Sequence, residues 1–233
     1  MFIWMGFIYN NLSLTKTESI MRHYNLLDTL LTSADNALRT LAGGYQTTPR
    51  SNPSHKVTNE KELDDAERRH VAGLMRINHC GEVCAQALYQ GQAITARNEE
   101  TRAKMELSAK EENDHLDWCK DRLTELNTHT SLLNPLWYAS SFTIGAVAGL
   151  AGDQWSLGFV VETERQVVKH LESHLTQLPE HDHKSRAILE VMKEDEAHHA
   201  TAALEAGGAA LPQPIKAAMS AMSKVMTKTV YHI

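Results

Sequence analysis

Cysteine is scarce in this chain. Cys80, Cys84 and Cys119 are too few and too irregularly spaced for a disulfide framework or a zinc ribbon, and they point to a reducing compartment rather than export. A basic excess is missing as well. Twenty-nine acidic side chains outnumber 23 basic ones, for a net charge of −6, and no nucleic-acid footprint follows from that balance. No Gly-rich fingerprint is present, so a bound dinucleotide of the Rossmann kind is unsupported. Long apolar runs are also absent. Residues 1–9 are apolar but short, carry no basic n-region, and precede no small-residue cleavage site. Signal-peptide and membrane-span readings therefore fail there, as does an Arg-rich transit peptide. Residues 1–20 read as a disordered N-terminal extension, with Met21-Arg22-His23 as a natural start. Residues 21–233 read as one domain, long enough to bury a full core.

What the chain has in abundance is helical periodicity. A short amphipathic helix is expected over 28–41, with Leu27, Leu30, Leu31, Ala34, Leu38 and Leu41 on one side, ended by Gly43-Gly44. A loop rich in Pro, Ser, Thr and Asn fills 45–60. Four longer helices follow, over about 63–97, 99–126, 154–178 and 183–206. Their inward seams read Val71, Met75, Asn78, Glu82, Ala85, Tyr89; then Met105, Ser108, Glu112, His115, Cys119, Leu123; then Leu157, Val161, Glu164, Val168, Leu171, Leu175; then Leu189, Met192, Glu196, His199, Ala203. Each steps by fours and threes, as bundle helices do.

Each seam is interrupted by a carboxylate: Glu82, Glu112, Glu164 and Glu196. Two of them carry a histidine three residues on, His115 and His199. Residues three apart share a helix face, about 4.5 Å apart along the axis, so carboxylate and imidazole can converge on one ion. The spacing repeats: 30 residues separate Glu82 from Glu112, and 32 separate Glu164 from Glu196. The chain thus reads as two helix pairs, each a lone Glu followed by Glu-x-x-His. One such motif alone is usually a surface ion pair. Four together would place four unpaired carboxylates in the core, at several kcal/mol each, unless two divalent ions satisfy them. This inward set is the pattern of ferritin-like di-iron and di-manganese bundles, and it is too oxygen-rich for structural zinc. Glu112 and Glu196 suit bridging positions; Glu82 and Glu164 suit terminal ones. Glu162 and His79 are the rivals, and His198 falls off the seam. Glu111 and Asp195 are candidates to hold the far ring nitrogens of the two histidines.

Two stretches stand outside the bundle. Residues 127–152 contain no Asp, Glu, Lys or Arg. Pro135, Gly145 and Gly149 argue against a full membrane span, leaving a buried helix or crossover between the helix pairs, or an interfacial segment. After Glu205 there is no acid at all, and Ile215, Met219, Met222, Met226 and Val230 form a stripe flanked by Lys216, Lys224 and Lys228. That composition suits an anionic membrane surface or a Met-filled core strip. The expected fold is therefore all-α, a ferritin-like four-helix bundle with additional membrane-contacting helices.

Several motifs go beyond the generic metal set. Arg76-Ile-Asn-His-Cys-Gly-Glu82, Leu88-Tyr-Gln-Gly-Gln92, Glu111-Glu-Asn-Asp-His-Leu116, Pro135-Leu-Trp137 and Glu194-Asp-Glu-Ala-His-His199 resemble the demethoxyubiquinone hydroxylases of ubiquinone biosynthesis, over about residues 22–233. Carried over position by position, the resemblance implies metal ligands at Glu82, Glu112, His115, Glu164, Glu196 and His199. It implies a di-iron centre, O₂ as co-substrate, and hydroxylation of the ring of a polyprenyl benzoquinol, with either NADH or the quinol as reductant. It also implies peripheral attachment at the cytoplasmic side of a bacterial cell membrane, and other ubiquinone-biosynthesis proteins as partners; a homo-oligomer is compatible with the sequence. Two departures stand out: Cys80 replaces the usual Ala, and Leu171 follows His170 where mitochondrial members have Tyr. No role of that Tyr transfers, and His170 remains a candidate for quinone contact. Competing readings are a ferritin-like iron oxidase and a non-enzymatic quinone-binding scaffold, separable by assembly size and iron content.

Overall fold

A computed structural model describes residues 26–58 and 61–233; the expected extension over 1–20 lies outside them. The described residues form seven α-helices and one 3₁₀ turn, with no strand among them. They are α1 (Leu26–Ala42), a 3₁₀ turn (Pro53–Lys56), α2 (Asp65–Thr95), α3 (Glu99–Glu125), α4 (Asn134–Leu150), α5 (Asp153–Gln177), α6 (His183–Glu205) and α7 (Gln213–Val230).

Local sequence starts and stops these helices. Asp64 and Glu67 form a reciprocal capping box at the head of α2. Asn98 caps α3, and Asp182 caps α6. The α2–α3 turn is pinned from elsewhere: the Asp153 carboxylate accepts the N–H groups of Arg97 and Asn98 at 3.0 and 2.9 Å. This is why α2 stops at Thr95 and not at Arg97 as periodicity suggests. Gly43 ends α1 with φ +85°, a conformation that costs glycine little.

Helices α2 and α3 form one antiparallel hairpin, α5 and α6 another, and the two hairpins pack into a ferritin-like four-helix bundle. Its interior is apolar at both ends and polar in the middle. At one end Val71, Met75, Trp118, Leu123, Leu171 and Met192 pack together. At the other lie Tyr89, Met105, Leu157, Val161 and Ala203. Each fully buried side chain of this size contributes about 1.5–3 kcal/mol, and together they offset the polar layer between them.

Helix α4 is the crossover between hairpins, and it lies in backbone contact with α2. A Cβ on Gly145 would sit 2.2 Å from the carbonyl oxygen of Leu88, and one on Gly91 equally close to that of Phe142. Its outer face exposes Leu136, Val147 and Leu150, and Leu132 is exposed just before it. The C-terminal α7 flanks α2 beside it: Val230, Met226 and Tyr231 pack with Ile77, Cys80 and, from α4, Trp137. Arg76 fastens this corner, donating to the carbonyls of His129 and Tyr231 at 3.1 and 2.8 Å. The expected stripe on α7 divides accordingly. Val230 and Met226 turn to the bundle, whereas Ile215 and Met222 stay exposed. Helix α1 departs further from its pattern. Leu27, Leu31 and Leu38 are exposed, and α1 docks through Ala37 and Leu41. No described helix is long and apolar enough to cross a membrane.

Candidate metal centre

Glu82 on α2, Glu112 and His115 on α3, and Glu196 on α6 converge in the polar layer, each offering a ligand atom within 4.8 Å of the others. His115 Nδ1 lies 3.6 Å from Glu82 Oε2, 3.2 Å from Glu112 Oε2 and 3.1 Å from Glu196 Oε1. His199 Nδ1 faces the same two carboxylates from the other side, at 3.3 Å from both Glu112 Oε1 and Glu196 Oε2. Glu112 and Glu196 therefore present one oxygen to each histidine. Glu164 on α5, also fully buried, accepts a 2.5 Å hydrogen bond from the Tyr89 hydroxyl.

The electrostatics register the crowding. Burial raises the Glu164 carboxyl well above the ordinary range, and the charges of Glu196 and Glu112 push it further. Burial does the same to Glu82, against a hydrogen bond from His115. Burial would lower His199, but hydrogen bonds with Glu112 and Glu196 prevail and push it up to about 12. Glu112, conversely, is held below its usual value by the two imidazoles in spite of burial. Among the described residues the buried Glu164 Oε2 has no polar partner, and the equally buried Glu112 Oε1 and Glu196 Oε1 face only the Nδ1 atoms of His199 and His115. Such atoms are costly in a protein interior, and hard divalent cations are the partners their chemistry fits.

The outer contacts cross between helices. His115 Nε2 on α3 meets Asp195 Oδ2 on α6 at 3.0 Å, and His199 Nε2 on α6 meets Glu111 Oε2 on α3 at 2.7 Å. Carboxylates in this position fix the tautomer and orientation of a metal-binding imidazole.

A family model for the ubiquinone biosynthesis protein COQ7 matches residues 69–230. The chain belongs to the COQ7 family. Relatives named 3-demethoxyubiquinol 3-hydroxylase include those of Acinetobacter baumannii, 58% identical over 91% of this chain and 100% of the relative, and of Nitrosococcus oceani, 58% identical over 91% and 99%. That of Acinetobacter baylyi is 57% identical over 91% and 100%. The match spans all four bundle helices apart from the first turn of α2, so all six candidate ligands lie inside it.

The rivals to the six residues are elsewhere. His79 is buried, but its ring faces Tyr45 and Asn134, with Nε2 3.0 Å from the Tyr45 hydroxyl. Glu162 pairs with Lys216 at 3.2 Å on the outside of α5. His198 is exposed. Cys80 and Cys84 pack toward α4 and α7, away from the cluster. Three features near the site had no signature in the sequence. Tyr89 sat on a seam as an ordinary core aromatic until its hydroxyl reached Glu164. His174 Nδ1 lies 2.7 Å from Asn78 Oδ1, one turn before Glu82. The irregular strand of chain before the 3₁₀ turn brings Thr48 and Arg50 onto Asp114, the neighbour of His115.

Proposed function

We propose that this COQ7-family protein is a di-iron monooxygenase that hydroxylates the ring of demethoxyubiquinol, a polyprenyl methoxy-methyl-benzoquinol, with O₂. The observation that carries it is the pair of carboxylates, Glu112 and Glu196, each offering one oxygen to His115 and the other to His199. Glu82, Glu112, His115 and Glu196 would hold one iron, and Glu164, Glu112, His199 and Glu196 the other, with Glu112 and Glu196 shared. When bound, the two irons supply activation of O₂ and delivery of one oxygen atom to the ring.

The chain does the rest. Asp195 and Glu111 keep the far ring nitrogens protonated, so that Nδ1 of each imidazole is free to act as a ligand. Tyr89 occupies Glu164 Oε1 with its hydroxyl proton and leaves Oε2 for metal. The apolar layers above and below the site exclude bulk water, which strengthens every charge interaction inside. The exposed apolar faces of α4 and α7, on one flank of α2, suit attachment to the membrane surface that holds the polyprenyl tail. That supports a peripheral position at the cytoplasmic face of a bacterial cell membrane.

The test is direct. Protein carrying two irons is reduced anaerobically, mixed with a short-chain demethoxyquinol, and exposed to O₂. Ring hydroxylation is expected with wild type, and at least a ~10²-fold slower reaction with Glu112→Ala, which removes a shared ligand. Equal rates for the two proteins would end the proposal.

A further inference from the structure

The two histidines occupy unequal surroundings. The Glu111 side chain that meets His199 is 41% exposed, and His199 is its only ion-pair partner among the described residues. On the other side Asp195 is 20% exposed, and its Oδ2 atom, besides meeting His115, accepts from Arg50 Nη1 at 2.7 Å. Arg50 Nε donates at 2.9 Å to Asp114 Oδ2, a fully buried carboxylate. The same carboxylate accepts the backbone N–H and hydroxyl of Thr48 at 2.7 and 2.6 Å. The guanidinium also lies over the Trp118 ring, 5.0 Å from its centre, and that ring is 5.5 Å from His115. One cation thus joins the residue preceding His115 on α3 to the residue preceding Glu196 on α6.

We propose that Arg50 is a positioning residue that locks the His115 half of the centre and leaves the His199 half as the labile one, so that the two ions leave at different rates. The inference rests on the dinuclear reading above. For His115 to swing off an ion, it must drag or abandon Asp195, which Arg50 holds with Nη1 while Nε anchors the same guanidinium on the buried Asp114. Arginine does this better than lysine, because its planar fork spans two carboxylates at once. For His199 to leave, only an exposed contact to Glu111 is lost, and solvent screens that contact.

Chelator-driven release from the iron-loaded full chain, followed by the absorbance of a ferrous chelate, tests this. Wild type is expected to release one equivalent fast and one at least ~10-fold slower, the scale on which outer carboxylates affect metal binding. Arg50→Gln should bring the slow phase close to the fast one and leave the fast one unchanged. Arg50→Lys, which keeps the charge but not the fork, should recover part of the slow phase. In the diferrous Mössbauer spectrum Arg50→Gln should shift one of two iron signals, a change that general loosening would not confine to one ion. Glu111→Gln, on the opposite side, should speed the fast phase alone, and it keeps the idea testable if Arg50→Gln does not fold. Single-phase release by wild type overturns the proposal, as does an Arg50→Gln protein whose two phases accelerate together or not at all. A wild-type content other than two irons overturns the dinuclear reading itself.

Discussion

Tyr89 and His174 show how much single contacts around the polar layer carry. The Tyr89 hydroxyl is the only hydrogen-bond donor to the buried Glu164 carboxylate among the described residues. Tyr89→Phe removes it while keeping the ring, and strands a second oxygen. The expected cost in the metal-free protein is about 1–3 kcal/mol of unfolding free energy; a urea midpoint shift equivalent to less than ~0.5 kcal/mol would refute it. His174 bears on pH. Burial, with the nearby His170 and His70, lowers its pKa from 6.5 to about 4. The folded state therefore prefers neutral His174, and the unfolded state binds the proton more readily. Its stabilising contribution is full above about pH 6.5 and disappears as pH falls through about 4. Wild type should lose stability between these values more steeply than His174→Asn, by at most about 1.4 kcal/mol per pH unit. Parallel stability–pH curves for the two proteins would contradict the assignment. At this scale the six candidate ligands could be read from the sequence because they violate a strict apolar period. Arg50 and Thr48 could not, since they lie in a stretch with no period at all, and their partners are fixed only once α3 and α6 are side by side.

Among elements, α4 packs backbone to backbone against α2. Its Gly145 faces the Leu88 carbonyl so closely that any Cβ must push backbone from backbone. Gly81, in the middle of α2, has nothing within 4 Å of where its Cβ would be. The same substitution should then have opposite signs. Gly145→Ala is expected to destabilise by about 1–3 kcal/mol through overpacking, whereas Gly81→Ala should stabilise by roughly 0.5–1 kcal/mol, because alanine is the better helix former. Thermal melts of the pair decide it, and like-signed shifts would refute the packing account. The uncharged stretch 127–152 was legible as a buried helix, a crossover or an interfacial segment, but its backbone contact with α2 was not, because small residues read as helix breakers in a sequence and as contact surface in a structure. Helix α1 misled in the opposite way. Its leucines keep perfect amphipathic spacing, yet Leu27, Leu31 and Leu38 face outward, since periodicity reports that a face exists and not what covers it.

The whole molecule places the layer of candidate ligands at mid-bundle and the exposed apolar side chains of α4 and α7, Leu136, Val147, Leu150, Ile215 and Met222, on one flank. If that flank meets lipid, charge should repel it without touching the ligands. The double variant Leu136→Glu, Leu150→Glu should sediment at least ~10-fold less with anionic phospholipid vesicles than wild type, a loss consistent with burying two leucines at about 1.5–3 kcal/mol each, while binding the same amount of iron. Undiminished sedimentation would move the attachment surface elsewhere. The crossing of Asp195 to His115 and Glu111 to His199 has one more consequence, in the order of events during synthesis. A chain emerging from the ribosome offers Glu82, Glu112 and His115 first, but the carboxylate that orients His115 belongs to α6 and comes near the end. On the proposed ligand set the first hairpin alone would hold an ion only loosely, and durable loading would wait until translation has delivered the second. With the metal centre proposed above, the ion would enter a finished protein, so that its supply and the production of the chain could be controlled separately.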